Sequence, residues 1–129
     1  MIPFLDIKPT DIQRSVDINI VAATIFSQNA IRRFIAPPQA GAEEKVGGTL
    51  IFTGATSATR GAKNFGAFAA GKHGARALSQ SIAREFGEQG VHVSYVIIDG
   101  TIRTKRKSVL LQVLFLLMQM TCDVVQGLC

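Results

Sequence analysis

At 129 residues the chain has room for one domain but not two, and 47% hydrophobic with 18% charged residues excludes a disordered polyelectrolyte. The formal charge is +5, but Arg103, Lys105, Arg106 and Lys107 form one local run, and without those four about +1 remains. A nucleic-acid surface needs a basic face with aromatic rings to stack on; with no Trp and one Tyr, no nucleic-acid partner is expected.

The N-terminus, Met1-Ile-Pro-Phe-Leu-Asp6, lacks the basic region and long apolar run of a secretory signal. Residues 11–35 then read as a helix. Ile12, Val16, Ile20, Ala23, Phe26, Ala30 and Phe34 recur at three- and four-residue steps and give one apolar stripe. Thr10 is the expected N-cap, after an extended lead-in at Pro9. Arg32 and Arg33 suit the negative end of the helix dipole, and Pro37-Pro38 stops the helix.

Residues 36–48 read as a loop rich in Pro, Gly and charge. The apolar run 49–53 reads as a buried strand of a parallel sheet. A small-residue loop, 56–63, leads to a second helix at about 64–89. Its stripe is Ala67, Ala70, Gly71, Gly74, Ala75, Leu78, Ile82 and Phe86. The small first half of that stripe lets another backbone approach, at some loss of helix propensity at the glycines. Gly87 or Gly90 ends the helix. Residues 91–98, rich in β-branched side chains, read as a second buried strand. Strand, helix and strand at these lengths make one right-handed βαβ unit. With the leading helix, the expected fold is α/β: a partial doubly wound, Rossmann-like parallel sheet with a helix-strand-helix-strand core.

Beyond residue 104 the pattern changes. Residues 1–104 form the expected domain and 105–129 a divergent basic and apolar tail. The apolar run 109–120 is interrupted by Gln112 and Gln119, and about 20 apolar residues are needed to cross a bilayer as a helix. A helix at 108–120 could cover the sheet, or the run could be an aggregation-prone end. Basic residues beside an apolar helix can also anchor a protein at a membrane surface. Here they cluster at one end rather than along one face, so a membrane partner is not expected. Cys122 and Cys129 lack zinc-site spacing, so no metal is expected, and they read as incidental thiols in a reducing, cytoplasmic compartment.

Three segments carry the candidate chemistry. Residues 47–57 run Gly-Gly-Thr-Leu-Ile-Phe-Thr-Gly-Ala-Thr-Ser. Residues 68–72 run Phe-Ala-Ala-Gly-Lys on the second helix. Residues 91–104 end in Asp99-Gly100-Thr101-Ile102-Arg103-Thr104. Their order resembles the short-chain dehydrogenase/reductase family over residues 10–104. In that family a Ser closes the strand, a Tyr-x-x-x-Lys motif follows on a helix, and Pro-Gly-x-x-x-Thr follows the next strand. The resemblance implies binding of NAD or NADP and hydride transfer to or from a carbonyl or alcohol.

Carried over residue by residue, the family's Tyr position holds Phe68 and its Ser position holds Ala55. Phe has no hydroxyl and cannot act as general acid or base; the plain reading of Phe68 is a packed helix residue. Thr56 and Ser57 stand beside Ala55 as substitute hydroxyls, or as loop hydroxyls satisfying local backbone. Lys72, four residues after Phe68 and so on the same helix face, matches the family's Lys. It either holds the nicotinamide ribose or reaches solvent. His73 is expected at the surface rather than as a substitute base. Asn19 matches the helix Asn of the family's proton relay, and a mid-helix Asn also needs a hydrogen-bond partner of its own. Gly100 and Thr104 would line the nicotinamide pocket, with Asp99 in place of the family's Pro.

Complete family members begin with a strand and a glycine-rich turn that cradles pyrophosphate, and this sequence contains no Gly-x-x-x-Gly-x-Gly. The expectation is a truncated, divergent and catalytically impaired member. The alternative is a non-catalytic scaffold that pairs with itself or a relative through its two long helices, as the family does.

Overall fold

The first helix carries apolar side chains on more than one face, and its winding changes midway. The structure, a computed structural model, describes residues 1–37 and 47–100, and the backbone of 122–124. In it the helix is one rod in three parts: α1 (Pro9–Val16), a π-helical turn (Asp17–Val21) and α2 (Ala22–Phe34). Side-chain donors reach back four residues within and just past the π turn, Asn19 Nδ2 to Ser15 O at 2.9 Å and Thr24 Oγ1 to Ile20 O at 2.8 Å. Such back-bonding competes with the helical ladder. A π turn holds more residues than an α turn and so rotates the face downstream of it. Ser27 and Ile31 are buried there, whereas Phe26, expected in the stripe, is 70% exposed.

The helix also starts earlier than expected. Pro9 is its first residue rather than an extended lead-in, and the N-cap is Lys8, not Thr10. Proline suits that position because its missing N–H has no helical partner anyway. The Asp11 carboxylate accepts the Lys8 backbone N–H at 2.9 Å.

Strand β1 (Gly48–Gly54) pairs in parallel with β2 (Val91–Ile97), Gly48 opposite Val91 and Gly54 opposite Ile97. The connection is α3 (Gly66–Phe86), followed by one 3-10 turn (Gly87–Gln89) that closes at Gly90, φ 83°. That left-handed conformation favours glycine. A short strand β3 (Cys122–Val124) adds antiparallel to the far edge of β2. The helix expected at 108–120 lies outside the described residues.

The core sits between the sheet and helices α2 and α3 on one of its faces, while α1 packs on α3. Ile31, Leu50, Phe52, Ala58, Ala75, Ile82, Val91, Val93 and Tyr95 form a single buried cluster. The sequence suggested that β1 is buried on both faces. Instead its residues alternate: Leu50 and Phe52 are buried, while Thr49, Ile51 and Thr53 are exposed, Ile51 at 66%. Successive strand side chains point to opposite faces, and among the described residues the helices cover only one. No described helix is long and apolar enough to cross a membrane.

Candidate functional site

The site is assembled at the C-terminal ends of β1 and β2, where parallel sheets commonly bind ligands. Tyr95, midway along β2, is fully buried, and a buried phenol needs a partner. Its hydroxyl donates to the Lys72 backbone carbonyl at 3.2 Å, and the Ala55 backbone hydrogen-bonds to it as well. One side chain thus ties the loop after β1 to the first turns of α3. Burial pushes the Tyr95 phenol up to about 12, against the opposing influence of the Arg76 charge and the Ala55 hydrogen bond. The ring edge packs against Gly54: a Cβ there would come within 2.1 Å of it.

Lys72 projects from α3 over the end of β1. Its Nζ donates to Thr53 O at 3.0 Å and stands 5.7 Å from the centre of the Phe68 ring. Phe68 in turn meets Phe65 edge-to-face, with centroids 6.2 Å apart. Burial holds the lysine ammonium below its usual pKa. Asn19 lies one residue from Lys72 along the helix contact. A Cβ on Gly71 would fall 2.9 Å from Asn19 Nδ2 and 2.4 Å from Ser15 Oγ, so only glycine lets the π turn come this close to α3.

The loop after β1 enters a 3-10 turn (Thr56–Ala58), which Asp99 holds from the end of β2. The Asp99 carboxylate accepts the Thr56 backbone N–H at 2.9 Å and the Thr56 hydroxyl proton. The Thr56 hydroxyl therefore spends its one proton on Asp99 and has only lone pairs left to offer another group. Ala55 is buried and brings no hydroxyl of its own. Ser57 is half-buried and makes no hydrogen bond among the described residues. His73 is exposed, its Nδ1 2.9 Å from Ala69 O.

The structure thus brings Asn19, Lys72, Phe68 and Ala55 into one neighbourhood and pairs Thr56 with Asp99. Gly100 is exposed, with open space where a Cβ would stand. Thr104 lies outside the described residues. Sequence reasoning missed the part played by Tyr95. The signal was present: a lone tyrosine inside an apolar strand must find a partner for its hydroxyl.

The residues fit one half of a dinucleotide. A half-buried amine at the strand ends, satisfied by a single carbonyl, can donate to ribose hydroxyls. Nothing in the sequence supplies a glycine-rich turn for the pyrophosphate.

The sequence model of the short chain dehydrogenase family matches residues 1–112. A search of curated proteins finds no match. Among solved structures, a short-chain dehydrogenase from Rhodopseudomonas palustris is 33% identical, with a TM-score of 0.65 over 76% of this chain and 42% of its own. A 4-hydroxyisoleucine dehydrogenase complexed with NADH is 27% identical, with a TM-score of 0.67 over 81% of this chain and 42% of its own. A short chain dehydrogenase from Burkholderia cenocepacia J2315 in complex with NADP is 26% identical, with a TM-score of 0.59 over 74% of this chain and 35% of its own. The chain therefore spans less than half the length of these relatives.

Proposed function

Since the chain belongs to the short-chain dehydrogenase family, we propose that it binds the nicotinamide-ribose half of NAD or NADP at Lys72 and is impaired in the family's carbonyl–alcohol interconversion. One observation carries this reading: Lys72 is held at the strand ends, and the side chain beside it, Phe68, has no hydroxyl. The bound dinucleotide would supply or accept the hydride. Lys72 would donate to ribose hydroxyls, released for that purpose from Thr53 O. Asn19 would support the helix contact beneath it. No side chain at position 68 can hold or move the proton of the substrate oxygen. Thr56 is no substitute donor, because its proton is committed to Asp99.

The test is Phe68→Tyr. A positioned general acid–base group contributes about 10²–10⁴-fold. With NADH or NADPH and a panel of small carbonyl compounds, the variant should gain turnover of that order over the unsubstituted chain. Equal turnover of the two chains would contradict the assignment.

A second observation favours a scaffold reading beside the first. Ile18 (61% exposed), Val21 (46%), Ile25 (56%) and Phe26 (70%) form an apolar strip along the outer side of the first helical rod. Contiguous exposed apolar surface marks interaction sites. The strip suits pairing with a second copy or a relative. Sedimentation should show a mass that rises with concentration, and a strict monomer would contradict this reading.

A further inference from the structure

Strand β1 forms an outer edge of the sheet among the described residues, because the strand order is β1-β2-β3. Gly48 N–H donates to Gly90 O at 3.2 Å, and Gly54 O accepts Ile98 N–H at 3.2 Å. Successive residues of a strand turn their backbone groups to alternate edges. Thr49, Ile51 and Thr53 therefore direct theirs away from β2, and all three residues are exposed. Thr53 O accepts Lys72 Nζ and keeps a second lone pair. Proteins protect such edges with charge, proline, a bulge or shortness. The far edge has such protection: β3 is three residues long and includes Asp123. β1 has none of these devices. It is seven residues long, its register with β2 runs unbroken, and neither a charged residue nor a proline stands between Lys45 and Arg60. Two copies of β1 meet without like-charge repulsion at the contact.

We propose that β1 is a self-pairing edge, which joins a second copy of this chain antiparallel about a two-fold axis at Ile51. The outward donors and acceptors are their own complement under that axis. Ile51 faces the second copy's Ile51, and Thr49 faces the second copy's Thr53. Each facing pair exchanges N–H···O bonds in both directions. Ile51, 66% exposed in the single chain, gains an apolar cross-strand neighbour. Pairing doubles a three-stranded sheet, bringing it to the usual size of about 4–6 strands. Growth of the sheet stops there, because the short β3 then forms both outer edges. This surface is distinct from the helical strip, and the pairing stands whether or not a dinucleotide binds.

The experiment cross-links the full chain through single cysteines with dibromobimane, a short thiol-to-thiol linker. Cys122→Ser and Cys129→Ser remove the native thiols, and Phe26→Asp silences the helical strip. Facing hydrogen-bonded residues of an antiparallel pair have Cα atoms about 5.5 Å apart, so Ile51→Cys should yield a linked dimer. Thr49→Cys stands about 14 Å along the strand from its equivalent, at about 3.4 Å per residue, and should yield several-fold less. Ile51→Pro removes an N–H that faces the open edge and spares the bonds to β2, a position where an edge strand tolerates proline. In sedimentation, Phe26→Asp alone should still form a dimer as concentration rises, and adding Ile51→Pro should leave a monomer that unfolds cooperatively in urea. Equal cross-linking at positions 51 and 49, or a dimer that survives Ile51→Pro, would overturn the proposal. So would a Phe26→Asp chain that stays monomeric, and a dimer of the unsubstituted chain would then belong to the helical strip.

Discussion

The residues beneath Lys72 and those around its amine are held by different forces. Beneath it, Tyr95 is fully buried, bonded to Lys72 O and packed on Gly54, and the π turn presses on Gly71. Around the amine, Phe68 and Thr56 are half-buried and Asp99 is exposed. The lower region is a packed support built on the buried Tyr95, Gly54 and Gly71. The upper region is a partly exposed surface in which Phe68 and Ala55 stand where the resembled motifs carry Tyr and Ser. Support and chemistry are therefore separable: the first can persist after the second has changed, because packing does not depend on which hydroxyl faces the substrate.

Substitutions should divide along the same line. Tyr95→Ala removes a buried ring and leaves a cavity, and should cost about 3–5 kcal/mol of stability in urea unfolding. Gly54→Ala drives a methyl into that ring and should cost about 1–3 kcal/mol, with a matching fall in Tm. Tyr95→Phe keeps the ring and loses the bond to Lys72 O, at about 0.5–1.5 kcal/mol. The same variant has a signature in alkali. The folded-state phenol is raised to about 12 from 10.0, so the folded chain holds a proton that the unfolded chain releases first. Stability from this group is complete below pH 10 and is lost as the pH rises toward 12. Tyr95→Phe should flatten that fall, and an unchanged alkaline limb would show that Tyr95 is not its source. In the upper region, Phe68→Tyr should move stability by no more than about 0.5 kcal/mol. A loss as large as that of Gly54→Ala would erase the distinction between the two regions.

Much of the support was legible in the sequence, because it rests on periodicity and small residues. The element order followed from the apolar patterns, and the Gly71 and Gly74 stripe announced a close helix approach. The π turn was not legible: apolar residues at three- and four-residue steps look alike whether or not one turn is widened. So Phe26 was placed inside and lies outside, and Ser27 takes its place. The one-sided burial of β1 was hidden for a different reason. An apolar strand shows that both faces can be covered, not that this stretch of chain covers them. At the site, the motif spacing pointed to Phe68, Lys72 and Ala55, whereas the Asp99–Thr56 pairing joins residues 43 apart and leaves no local pattern.

The central claim is that the support still presents Lys72 to a nicotinamide dinucleotide. The most direct test is a thermal melt of the chain followed by circular dichroism, alone and with excess NADH or NADPH. A ligand at about a hundred times its Kd that binds only the folded state adds about 2.7 kcal/mol. A cooperative transition that moves up with either dinucleotide is the predicted result. A transition that moves with neither would contradict the claim.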